Sequence, residues 1–95
     1  MTETQSNVDH LEISLTSWRK RLIYRSWHRG TKEMDLLMGN FADQYVHDYG
    51  IEQLREYEAV LEINDPELYD MYMAKTMPNE SQKSAVLTQF LTFSL

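Results

Sequence analysis

The sequence predicts an all-α protein, a compact bundle of about five short helices, and three observations carry that prediction. Apolar residues recur at three- and four-residue spacing, most clearly at Met34, Leu37, Met38, Phe41 and Tyr45, as on the core-facing stripe of a helix. Gly30, Gly50, Pro66 and Pro78 fall between such stretches, where helices stop or restart. No segment alternates strictly between apolar and polar residues, as a half-buried strand would. At 95 residues the chain is one domain, with room for one modest core and no deep cleft between domains.

Residues 1–13 are polar and lack a sustained period, so they are expected to form a flexible N-terminal tail, and residues 14–95 a single helical domain. The first helix is placed from Ser14–Ser17 to His28, with Leu15, Trp18 and Leu22 inward and basic residues on the other face. The second, Thr31 to His47, carries the clearest stripe. Gly39 within it costs about 1 kcal/mol relative to alanine and so suggests a close approach by another backbone or a partner. Gly50 is expected as its left-handed cap. A third helix, Ile51 to Ile63, stripes Leu54, Tyr57 and Leu61. A fourth, Pro66 to Lys75, is capped by Asp65 with proline at its first position. A fifth, Ser81 to Leu91, carries Val86, Leu87 and Phe90.

Composition narrows the function. Without cysteine there is no disulfide, thiolate metal site or cysteine nucleophile. His10, His28 and His47 have no metal-ligand spacing, and the three glycines punctuate helices instead of forming a phosphate loop, so neither a metal nor a cofactor of its own is expected. No apolar run approaches the roughly 20 residues of a membrane span, and the N-terminus lacks signal or transit features. A soluble, cytoplasmic protein with no membrane attachment is expected. The net charge of −6 conceals an asymmetry. Arg19, Lys20, Arg21, Arg25, Arg29 and Lys32 crowd one window, whereas from Glu33 to Asp70 eleven acids face the single base Arg55. So acidic a remainder opposes nucleic acid and favours a protein partner oriented by the two charged faces.

The two signs of charge meet between Arg25 and Asp43. Gly30 ends the basic helix, Thr31 is placed to cap the next, and Glu33 and Asp35 fall in its first turn, where helix N–H groups favour negative charge. Glu33 and Asp35, two apart on a helix, point in different directions and suit helix-start acids better than an acid/base pair. Arg19, Lys20 and Arg21 suit a solvated face. Arg29, beside the turn glycine, suits partner binding. Trp18, Trp27 and the methionines and tyrosines are core material first, with the surplus available as an apolar anchor near the corner.

Arg29-Gly30-x-x-Glu33, followed by Met34-Asp35-Leu36-Leu37-Met38-Gly39-x-Phe41-Ala42, resembles the SdhE-type family of flavoprotein assembly factors, also called succinate dehydrogenase assembly or flavinylation factors. The resemblance extends from about Arg19 to Leu91. It includes Arg21-Leu22-x-Tyr24-Arg25, Leu61-Glu62-x-x-Asp65-Pro66-x-Leu68-Tyr69 and Pro78. It implies a chaperone without an active site that is a monomer when free. Its client is the flavoprotein subunit of succinate dehydrogenase, and of fumarate reductase in some bacteria. FAD stays on the client, where its attachment to a histidine is promoted. Partner-binding candidates are Arg25, His28, Arg29, Gly30, Glu33, Asp35 and Asp43. His28 stands where many members have arginine, which opens a pH-sensitive contact, and Met71 where many have tryptophan. The alternative from another class is a general helical adaptor or antitoxin-like regulator.

Overall fold

Helices account for all the regular structure of the described residues. The computed structural model describes residues 2–95, with side chains from residue 10 onward. Five α-helices follow one another: α1 (Thr2–Trp27), α2 (Lys32–Tyr45), α3 (Ile51–Glu62), α4 (Asp65–Tyr72) and α5 (Ala85–Leu91), with a 3-10 turn at Val46–Asp48 after α2. Helix α1 packs on α2 and α3, and α3 packs on α5. Phe41, Tyr57 and Phe90, all fully buried, bring α2, α3 and α5 to one centre. Met71, the residue in the tryptophan position, is buried there too.

Helix α1 begins at Thr2, about a dozen residues before the expected Ser14–Ser17, and it is long where a short helix is expected. No glycine or proline interrupts residues 2–27, and extending a helix that is already anchored adds one hydrogen bond per residue fixed. Met1, and the side chains of the next eight residues of the expected tail, lie outside the described part. From His10 to Ser14 the side chains are exposed, and the packed part begins with Leu15, Trp18 and Leu22.

Helix α4 ends at Tyr72 instead of Lys75, with Ala74 left-handed at φ 60° just beyond it, and three other helix ends differ from expectation for local reasons. Gly50 is not left-handed: at φ −86° it is the N-cap of α3. Its N–H is held by Gln53 Oε1 at 3.0 Å and its carbonyl accepts Leu54 N–H, while the 3-10 turn ends α2 instead. Asn64, not Asp65, caps α4 by accepting Glu67 N–H at 3.0 Å. Helix α5 starts at Ala85 instead of near Ser81 because Asn79 Oδ1 takes both the Ser81 hydroxyl and the Gln82 N–H into a turn, after which Ser84 caps the helix through Leu87 N–H. A side chain answers for Gly39. A Cβ there would lie 2.2 Å from the Trp27 indole, so the missing side chain is what lets α1 close on α2.

Candidate partner-docking site

The stretch that joins α1 to α2 is built as a polar turn. Thr31 caps α2 by accepting Met34 N–H at 3.3 Å, and its extended backbone leads into the helix. Gly30 stands at φ +128°, a region closed to ordinary side chains, and nothing lies within 4 Å of where its Cβ would be. Asp35 is turned back onto this loop. One oxygen, Oδ1, accepts the N–H of Arg29 at 2.6 Å and of Gly30 at 3.1 Å. The first-turn acid therefore satisfies amides that have no place in either helix.

Arg29 reaches across the molecule to a second corner, between α3 and α4. Its Nε donates to Asp65 Oδ1 at 2.8 Å, Nη1 to the Leu61 carbonyl at 2.6 Å and Nη2 to the Ile63 carbonyl at 2.7 Å. Nη2 also lies 2.7 Å from Asp65 Oδ1, and the two side chains are only 10% and 20% exposed. A planar guanidinium supplies these diverging donors from one rigid group, which an ammonium would not. The carbonyls come from the end of α3, where backbone acceptors lack helical partners and a cation is favoured. Arg29 is a partner-binding candidate beside the turn glycine. In the structure it is the bolt between two helix corners, because three acceptors converge on its one buried position.

The remaining candidates arrange themselves around this bolt. Arg25 is exposed on α1 and paired across to α3, with Glu62 Oε2 at 2.9 Å and Glu58 Oε2 at 3.6 Å. One turn on, His28 is exposed with its Nδ1–H donating to the Tyr24 carbonyl at 2.7 Å. Its ring meets Tyr24 edge-on at 3.9 Å between centroids. Tyr24, Arg25, His28 and Arg29 line one open depression with residues 61–65. A second depression opens on the other side of the bolt, with Gly30, Glu33, Pro66 and Tyr69 in its walls. Glu33 is exposed.

Asp43 is not part of this face. It lies two turns beyond Asp35 on α2 and accepts Trp27 Nε1 at 3.3 Å, helping to hold the indole over Gly39. Asp65, Tyr24 and Tyr69 belong to the site and are not among the sequence candidates. Asp65 could have been suspected, since Leu61-Glu62-x-x-Asp65-Pro66 is one of the strings that carry the family resemblance. Nothing in the order of residues, however, ties it to Arg29, which is 36 positions away.

Beneath the corner the polar groups are satisfied. Ser26 Oγ, fully buried on α1, donates to the Leu22 carbonyl at 2.7 Å and shares a 2.6 Å hydrogen bond with Tyr57 Oη. Burial pushes the Tyr57 hydroxyl well above the ordinary tyrosine range, against smaller opposing effects of the Ser26 hydrogen bond and of Arg29 and Arg25. Tyr49 is raised as well, chiefly by burial and then by Tyr57.

The family model described as "Flavinator of succinate dehydrogenase" matches residues 20–94. Among curated relatives, "Succinate dehydrogenase assembly factor 2, mitochondrial" of Dictyostelium discoideum is 32% identical over 85 residues, covering 90% of this chain and 60% of its own length. The protein of the same name from Kluyveromyces lactis is 38% identical over 85 residues, covering 85% of this chain and 52% of its own. "FAD assembly factor SdhE" of Acetobacter pasteurianus is 34% identical over 80 residues, covering 84% of this chain and 73% of its own. The chain thus spans little more than half the length of the first two. No solved structure matches it significantly.

Proposed function

This chain belongs to the family of flavinators of succinate dehydrogenase, and on that premise we propose that it binds the flavoprotein subunit of succinate dehydrogenase and promotes covalent attachment of FAD to it. The flavoprotein subunit of fumarate reductase is proposed as a further client, on the family resemblance alone. The flavin and the histidine that receives it both belong to the client. The factor contributes registration: holding the histidine against the flavin methyl in near-attack geometry removes several kcal/mol of barrier without a reacting group from the helper.

The observation that carries this reading is the bolted double corner. Arg29 locks the α1–α2 turn to the α3–α4 turn, and the fused surface exposes an unobstructed Gly30 and two accessible aromatics, Tyr24 and Tyr69, in depressions on either side of Arg29. A rigid surface with aromatic anchors and a bare backbone loses little entropy on docking. Arg25, His28, Gly30 and Glu33 are the residues of this surface that meet the client, with Arg29 and Asp35 holding it in shape. No described helix is long and apolar enough to cross a membrane.

Deletion of the gene, read by in-gel fluorescence of covalent flavin on the succinate dehydrogenase flavoprotein, tests the reading. Loss of the fluorescent band, restored by the wild-type gene and not by Gly30→Ala, is expected. The Gly30→Ala protein keeps its helical circular dichroism, because its added Cβ meets no atom and the cost is confined to backbone strain of about 1–3 kcal/mol. Undiminished flavinylation in the deletion strain overturns the assembly role. Co-purification of a small toxin in place of a flavoprotein points instead to the antitoxin-like regulator.

A further inference from the structure

Two depressions meet on the α2–α4 side of the bolt. One is walled by Gly30, Pro66 and Tyr69, the other by Leu36, Tyr72 and Leu95, and both include Glu33 and Tyr69. They form a single furrow between α2 and α4, floored by the buried Met34 and Leu37. Its walls are apolar and accessible: Leu36 is 42% exposed, Tyr69 38% and Leu95 73%. Helix α2 thus has apolar residues on two sides, one turned to the core and one left uncovered.

The charge in this furrow is unbalanced. Three side chains that carry charge at neutral pH line it, Arg29, Asp65 and Glu33. Arg29 and Asp65 neutralise each other at 2.7 Å. Glu33, where the two depressions join, has no ion pair or side-chain hydrogen bond with any described residue. Lys32, its neighbour in sequence, lines an adjoining depression that shares Gly30, Thr31 and Leu36 with the furrow, and forms no ion pair with Glu33. An apolar trough with one uncompensated carboxylate at its middle selects its occupant by chemistry. Apolar side chains fill the two halves, and a cation between them meets the carboxylate in a partly desolvated place, where a charge-assisted hydrogen bond is strongest.

We infer that the α2–α4 furrow receives a segment of the flavoprotein client in which apolar residues flank a single lysine or arginine, with Glu33 as the partner of that cation. This rests on the client named above and specifies which part of it docks here. Glu33 is a binding residue in this arrangement and takes no part in bond making. A second copy of this chain and an uncharged apolar segment are the other possible occupants, and the test separates them.

A photo-crosslinking phenylalanine analogue at Leu36, irradiated with the purified flavoprotein subunit of succinate dehydrogenase and read by mass spectrometry, identifies the segment. The expected crosslink falls within a few residues of a lysine or arginine set among apolar side chains. Glu33→Lys then weakens binding about tenfold, the effect of losing one charge-assisted contact of about 1.4 kcal/mol, and exchange of the client's cation for glutamate restores most of it. This reciprocal rescue cannot come from a merely misfolded Glu33→Lys protein. Crosslinks from Leu36 to another copy of the chain, crosslinks to a segment without a cation, or undiminished binding by Glu33→Lys each overturn the inference while the client assignment stands. If the wild-type chain binds no flavoprotein subunit at all, the client assignment falls and takes this inference with it.

Discussion

The aromatic centre and the bolted corner hold the same small molecule together by opposite means. At the centre, Phe41 touches Tyr45, Tyr57, Phe90 and Phe93 with ring centroids 5.1–5.6 Å apart. These contacts are non-directional, and their strength lies in apolar area removed from water. At the corner, Arg29 sits among two carbonyls and a carboxylate, and there the strength lies in direction and in leaving no charge uncompensated. The centre can yield a little without changing what the protein presents. The corner cannot, because the proposed docking surface is made of its turns.

Deleting a ring at the centre is the largest disturbance. Phe41→Ala should cost about 3–5 kcal/mol from lost transfer free energy and the cavity left behind, read as a lower urea midpoint. Its effect on flavinylation should appear only through loss of folded protein.

At the corner, Asp65→Ala leaves the Arg29 guanidinium 10% exposed without its carboxylate, and it should cost about 2–3 kcal/mol, less than a fully buried pair because the site is open at its edge. Here flavinylation should fall further than the folded fraction does. The double variant Arg29→Met with Asp65→Ala sharpens the comparison, since it removes both charges but also takes the donors from the Leu61 and Ile63 carbonyls, so it should cost at least as much stability as Asp65→Ala alone. If it nonetheless restores flavinylation, the bolt matters for stability only and the contrast between centre and corner collapses.

The smallest effect joins the two regions, because Tyr57 belongs to the aromatic centre and its hydroxyl meets Ser26 beneath the corner. Tyr57→Phe should cost about 1 kcal/mol for the lost hydrogen bond. It should also flatten the alkaline limb of stability. The folded protein holds the Tyr57 proton more tightly than the unfolded chain, so this group's stabilisation is complete below pH about 10 and declines as pH rises from there towards the raised folded value. Tyr49, raised in the same sense, leaves a residual slope in the variant. Urea unfolding between neutral and alkaline pH measures both.

Much of the fold was legible because its signals are local. The stripe of α2 puts Met34, Leu37, Met38 and Phe41 in the core as the spacing predicts, Thr31 caps that helix, and five α-helices form among the described residues. At the ends that differ, Gly50 opens α3 instead of closing α2, Asn64 takes the amide expected of the adjacent Asp65, and the turn held by Asn79 delays α5 to the Ser84 cap. The start of α1 was misplaced because polar residues without a stripe still lengthen a helix that is anchored elsewhere.

By itself the sequence determined the helical class, the core face of the middle helices, the glycine at the α1–α2 turn and the family to which the chain belongs. All of these depend on residues within a few positions of one another or on a string read in order. Only the tertiary structure decided that Arg29 belongs to Asp65 and the end of α3, that Trp27 occupies the space over Gly39, and that Glu33 is left alone in an apolar furrow. A charged side chain can pair with any opposite charge the fold brings within reach, and that proximity does not exist until the helices have packed.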